Sequence, residues 1–83
     1  MPLPLYGFLE GDAIGLLIVA DEQDTVASLS QKLQEAASVR VAPLPNPQLL
    51  YKDVALDPAK TLAEAGLKPL ERFDVVRSPA NGL

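Results

Sequence analysis

Few side chains in this sequence are equipped for chemistry, and their spacing suits it poorly. Histidine and cysteine are absent, so there is no imidazole base, no histidine zinc ligand, no thiolate nucleophile and no disulfide. What remains is carboxylate. Glu10 and Asp12 stand two apart around Gly11, and paired carboxylates are the minimum for general acid–base work. They flank an expected turn open to water, where nothing raises either pKa, so turn chemistry is their expected role. Asp21, Glu22 and Asp24 cluster as a hard-cation site would, yet they lack the D-x-D-x-D-G…E spacing and a partnering ligand. They read as a solvated loop entering a helix. No catalytic, cofactor-binding or metal-ligating residue is expected.

Charge and size narrow the classes further. The chain has 83 residues and a formal charge of −4, with its seven basic residues scattered singly from Lys32 to Arg77. Nucleic acids and acidic membrane surfaces both call for a basic face or stripe, which this sequence does not offer. The apolar run at residues 13–20 falls far short of the roughly 20 residues that span a bilayer. The N-terminus lacks a basic n-region and carries prolines where a signal helix would form. A soluble, cytoplasmic, single-domain protein is expected, with residues 1–78 folded and residues 79–83 a flexible C-terminal tail.

The elements follow from patterning. Residues 3–10 and 13–20 flank Gly11-Asp12, which predicts a hairpin with a two-residue turn, Leu9 opposite Ile14 and Tyr6 opposite Leu17. Leu3, Leu5, Gly7 and Leu9 then share one face with Ile14, Leu16, Ile18 and Ala20. Pro4, Tyr6 and Phe8 share the other with Gly15, Leu17 and Val19. Thr25 is a good helix N-cap, and Val26, Leu29, Leu33, Ala36 and Ala37 recur at helical spacing until about Ser38. Pro43, Pro45 and Pro47 forbid regular structure after it. Residues 48–52 predict a short strand, and Ala55-Leu56 a further one after a turn at Asp53. Thr61-Leu62-Ala63-Glu64 is a capping box closed by Gly66, and residues 73–77 form a last strand with Phe73 and Val75 inward.

This order of hairpin, helix, short strands, capped turn and strand is that of the β-grasp fold, an α+β class with a mixed sheet packed on one helix. From residue 48 to 77 the sequence resembles ubiquitin. Leu49, Leu50 and Tyr51 fall on a leucine–isoleucine–phenylalanine strand, and Phe73-Asp74-Val75-Val76 on the last strand. Position by position, the likeness implies a core of Leu16, Ile18, Leu29, Leu33, Leu49, Leu56, Leu62, Leu67, Phe73 and Val75. A broader likeness rests on Pro4, Glu10, Asp12, residues 16–19 with Asp21, Arg40-Val41-Ala42-Pro43, residues 61–67, Pro69, Glu71 and Asp74-Val75-Val76. On these residues the chain resembles the small ubiquitin-like subunit (B or γ) of bacterial toluene monooxygenase hydroxylases, which are multicomponent di-iron monooxygenases. The resemblance implies a non-catalytic subunit that docks on a large di-iron subunit in an (αβγ)₂ assembly. It also implies no cofactor in this chain, the di-iron centre lying in the partner. Where the family carries two arginines before Val-Ala-Pro and a basic stretch after it, this sequence keeps only Arg40 and Lys52, which implies a different cognate partner.

One surface stands out as functional. Tyr6, Phe8, Leu17 and Val19 point away from the helix-covered face, with Leu50 and Val76 expected on the same side, and a contiguous apolar patch of this kind marks a protein interface. A free-standing ubiquitin-like adaptor, such as a bacterial secretion accessory protein, is the alternative role. The proline segment is Pro-x-Pro-x-Pro with no Pro-x-x-Pro offset, so it reads as a post-helix loop rather than a docking ligand. A sulfur-carrier role would need a terminal Gly-Gly, whereas this sequence ends Asn81-Gly82-Leu83.

Overall fold

A computed structural model describes residues 2–78; the tail expected at residues 79–83 lies outside them. The first two strands are β1 (Pro2–Leu9) and β2 (Leu16–Asp21), paired antiparallel in the predicted register, Leu3 facing Ala20, Leu5 facing Ile18 and Tyr6 facing Leu17. The two-residue turn is a miss. Residues 10–15 form a wide loop, because β1 is captured on its other side before it can turn. Leu9 pairs with Val75, and the Glu10 amide donates to the Val75 carbonyl at 2.9 Å. Gly11 takes a φ of +90°, which glycine adopts at little cost, and Ile14, expected on the inner face, is left exposed.

Prolines inside β1 are compatible with the ladder for a topological reason. Strand β5 (Arg72–Arg77) runs parallel to β1 only from Tyr6 onward, so the nitrogens of Pro2 and Pro4 face a stretch with no strand beside it. Helix α1 (Val26–Ala36) starts where expected, with the Thr25 hydroxyl accepting from the Ser28 amide at 3.1 Å. Ala37 is fully buried, whereas Ala36, expected on the same stripe, faces outward. Strand β3 (Pro47–Tyr51) begins one residue earlier than predicted; Pro47 is tolerated as its first residue. Strand β4 is the dipeptide Val54–Ala55, reached through Lys52 and Asp53, both at positive φ as a tight hairpin turn requires. Lys52 therefore belongs to the turn and Leu56 follows the strand, so each predicted element ran one residue past the strand that forms.

Helix α2 (Leu62–Ala65) has the full capping box, Thr61 with Glu64, and a left-handed Gly66 at its end. The two capped helix starts lie against each other: the Val26 amide donates to the Lys60 carbonyl and the Leu62 amide to the Asp24 carbonyl. The five strands make one sheet in the order β2-β1-β5-β3-β4, with α1 across one face. This is the β-grasp arrangement, an α+β fold. Between helix and sheet lie Leu5, Leu29, Leu33, Leu62, Phe73 and Val75, all inaccessible to solvent, with Leu3, Leu9, Ile18, Leu49 and Leu67 around them. Leu16 and Leu56, expected in the core, are half-buried and pack on its margin, since each sits where a strand is just starting or has just ended.

Candidate docking face

The face of the sheet opposite α1 carries the residues singled out from the sequence. Strand alternation puts Pro4, Tyr6 and Phe8 of β1, Leu17 and Val19 of β2, Leu50 of β3, and Val76 of β5 on it. Tyr6, Leu17 and Val19 are 43%, 54% and 60% exposed, and Phe8, Leu50 and Val76 are half-buried. The register sets the neighbours. Leu17, Tyr6 and Arg72 form one row across the sheet, and Phe8, Asp74, Leu50 and Ala55 form the next. Val19 lies opposite Pro4, and Val76 opposite Gln48. All six sequence-selected residues are therefore on one face, but they do not form one unbroken patch.

Arg72 and Asp74 interrupt it. The Arg72 guanidinium donates to Asp74 through Nε at 3.0 Å and Nη2 at 3.1 Å, and it lies 4.0 Å from the centre of the Phe8 ring. Donating these hydrogen bonds to the Asp74 carboxylate pushes the Arg72 pKa further up. On its far side the Phe8 ring covers Gly15, where a Cβ would fall only 2.5 Å from a ring carbon. Phe8 is thus held between a glycine backbone and a cation, a contact that stabilises an exposed pair by about 0.5–1 kcal/mol. Tyr6, Leu17 and Val19 stand on one side of the ion pair, while Leu50 and Val76 flank Asp74 on the other. The sequence reading missed Arg72 and Asp74, although alternation was the available signal: with Phe73 and Val75 inward, the residues beside them must face out.

The carboxylates that looked capable of chemistry are occupied with structure. Asp12 is not solvated as expected; only 3% of its side chain is accessible, because Arg40 clasps it through Nε at 3.1 Å and Nη2 at 2.8 Å. That hydrogen bond holds the Asp12 carboxyl below the usual carboxylate range. Glu10 accepts from the Arg77 amide at 2.9 Å, tying the loop to the end of β5. Asp24 accepts from the Asp21 amide and from Lys32, each at 3.0 Å, and both contacts lower its pKa. Asp21 accepts from the Gln23 amide at 2.9 Å, which holds its own pKa down. Among the described residues no three metal-ligating side chains come together.

Two further places bring polar groups together. Tyr51 donates its hydroxyl to Glu71, which raises the tyrosine pKa and lowers that of the glutamate; Glu71 also accepts from the Lys68 amide at 2.9 Å. This ties the end of β3 to the segment before β5. A groove of about 460 Å³ between α1 and β3 is lined by Ser30, Gln31, Gln34, Gln48, Leu49 and Leu56 among others, none of them ionisable. It offers no acid or base. Among the described residues no helix is long and apolar enough to cross a membrane.

The family model of toluene-4-monooxygenase system protein B (TmoB) matches residues 2–76. A chain from the toluene 4-monooxygenase HD complex with the inhibitor 4-bromobenzoate superposes with a TM-score of 0.86 at 27% identity, over 94% of this chain and 100% of that one. Ubiquitin of Caldiarchaeum subterraneum has a TM-score of 0.77 at 20% identity, over 99% of this chain and all of its own. The ubiquitin-like domain of Plasmodium falciparum Dsk2 has a TM-score of 0.78 at 18% identity, over 94% of this chain and all of its own. These last two share the fold. No curated protein matches the sequence.

Proposed function

Because the chain belongs to the toluene-4-monooxygenase system protein B family and is a monooxygenase-associated subunit, we propose that it is the non-catalytic structural subunit of a hydroxylase and docks on the large di-iron subunit. The observation that carries this reading is the family match over residues 2–76 together with the apolar outer face. The donor set supports placing the iron in the partner. With no histidine or cysteine, and with Asp12, Asp24 and Glu71 committed to Arg40, Lys32 and Tyr51, these residues do not fit a di-iron centre. This chain has no redox or acid–base step of its own to perform.

Its mechanism is packing. The sheet, backed by α1 and a core of solvent-inaccessible side chains, presents Tyr6, Phe8, Leu17, Val19, Leu50 and Val76 to the large subunit, in an assembly of the (αβγ)₂ kind. A standard interface buries about 800 Å² per partner, which takes much of one face of a sheet this size. The Arg72–Asp74 pair lies within that area. Because each charge already has its partner on this chain, the pair enters the interface as a neutral unit and gives register rather than net affinity.

Co-expression with the large subunit followed by size-exclusion chromatography tests the reading. Co-elution at a defined stoichiometry is the expected result. Independent elution of a stable 8.8 kDa monomer would overturn it. An oxygenase subunit also belongs beside genes for a ferredoxin, a reductase and a large hydroxylase subunit, which is a second, cheaper check.

A further inference from the structure

Strand β2 is one of the two edge strands of the sheet, β4 being the other, and the direction of its backbone groups follows from hydrogen bonds on β1. On β1 the Tyr6 amide donates to the Glu71 carbonyl at 3.0 Å, the Pro4 carbonyl accepts from the Leu70 amide at 2.7 Å, and the Glu10 amide donates to the Val75 carbonyl. Pro4, Tyr6 and Glu10 therefore aim their backbone groups toward β5. Backbone direction alternates along a strand, so Leu3, Leu5 and Gly7 aim theirs at β2. Their partners Ala20, Ile18 and Leu16 answer them, and that leaves the N–H and C=O groups of Leu17 and Val19 pointing off the sheet. Neither residue has another hydrogen bond among the described residues. At its far end the edge is closed, because the Asp21 amide and carbonyl are both used in the turn with Asp24.

Open edges are usually guarded by a lysine, a proline or a bulge. Residues 16–20 have none of these and no charge. Leu17 and Val19 thus combine two exposed apolar side chains on the outer face with an alternating row of donors and acceptors at the edge. That row is matched by another extended backbone, and a neutral, apolar strand suits its lack of charge. We infer that the β2 edge at Leu17 and Val19 accepts an extended apolar segment of the large subunit as an added strand. This deepens the docking reading above and rests on it. A second copy of this chain is the disfavoured occupant, since each copy has a formal charge of −4.

Amide hydrogen exchange on the free chain and on the co-purified complex tests the inference. In the free chain the Leu17 and Val19 amides are expected to exchange fast while Leu16, Ile18 and Ala20 are slow. In the complex both are expected to slow by about 100-fold or more, as amides bonded within a stable ladder do. A complex in which Leu17 and Val19 still exchange fast overturns the inference and leaves the docking reading intact, whereas failure to form any complex overturns both. Protection that appears in the free chain as its concentration rises assigns the edge to a second copy and also overturns it. Val19→Pro supplies an independent check, because it removes an outward N–H that the fold does not use. It is expected to keep the native circular dichroism and lose the complex; native folding with undiminished assembly would count against strand addition.

Discussion

Leu17 offers the most direct test of the docking face. Fully burying a leucine side chain is worth about 1.5–3 kcal/mol. Leu17 is 54% exposed in the free chain, so roughly that share, about 0.8–1.6 kcal/mol, is left for a partner to gain. Leu17→Ala forfeits at most this amount, a rise in Kd of about 4- to 15-fold. The covered remainder is lost from the fold itself, roughly 1 kcal/mol, which lowers Tm by about 4–8 °C in a domain of this size. Leu17→Asp separates the two effects. In the free chain its carboxylate points into water and the fold survives. In the complex an unpaired charge is desolvated at a cost of several kcal/mol, which weakens binding by about 100-fold or more. Phe73→Asp is the control, since Phe73 is completely inaccessible and a charge there unfolds the chain. The assay is calorimetric titration of each variant into hydroxylase prepared without this subunit, with circular dichroism on the free chains. Either of two results would overturn this placement of Leu17: native-like affinity of Leu17→Asp, or unfolding of Leu17→Asp to the extent seen for Phe73→Asp.

Gly7→Ala is expected to destabilise the chain, because its Cβ would fall 2.7 Å from Phe73 Cζ and 2.9 Å from a Leu33 methyl. Overpacking of this kind costs about 1–3 kcal/mol, against roughly 0.4–1 kcal/mol regained by restricting the unfolded chain, and urea unfolding measures the balance. Gly15→Ala is expected to push the Phe8 ring out from under Arg72, read as loss of the ring-current shift on the Arg72 guanidinium protons; an unchanged shift would show that the ring is not held there. Folding stability is expected to fall in acid. Asp12, Asp24, Glu64 and Glu71 all have folded pKa values held below their ordinary ones, chiefly by hydrogen bonds with Arg40, Asp21, Thr61 and Tyr51 respectively. A depressed carboxylate stabilises the fold above its unfolded pKa, near 4, and that contribution drains as pH drops through the folded value. With no histidine to titrate, Tm is expected to be flat from about pH 6 to 8 and to decline below about pH 4; a Tm independent of pH down to 2 would be inconsistent with these shifts.

Local chemistry was legible in the sequence, and long-range capture was not. Thr25 and the Thr61–Glu64 box cap their helices as read, because a cap needs only neighbours three residues away. The β1–β2 register was legible too, although the turn that suggested it does not form. Apolar alternation fixes which residues face the core, and that constraint survives a change in loop length. What failed was decided by residues far along the chain. The predicted turn at Gly11-Asp12 opens because Val75 takes the Glu10 amide and Arg40 takes the Asp12 carboxylate, partners 65 and 28 positions away in sequence. Asp12 was read as solvated for the same reason: nothing near it in sequence announces Arg40. The six outer-face residues were legible as a set through alternation alone, whereas the division of that face by Arg72 and Asp74 depends on β5 lying between β1 and β3.

The strand order also explains why the apolar surface falls where it does. One helix covers one face of a five-stranded sheet, so every outward alternate must meet water or a partner. A sheet solvated on one side normally carries polar residues there. Strands β5 and β3 follow that rule in part, supplying Arg72, Asp74 and Gln48 among the outward positions. Strands β1 and β2 break it at Pro4, Tyr6, Phe8, Leu17 and Val19, and β2 also has the open backbone edge. The two most exposed apolar side chains of the outer face, Leu17 and Val19, stand on the same strand as the outward backbone groups, so on the docking reading proposed above that one strand offers side-chain and main-chain contacts together.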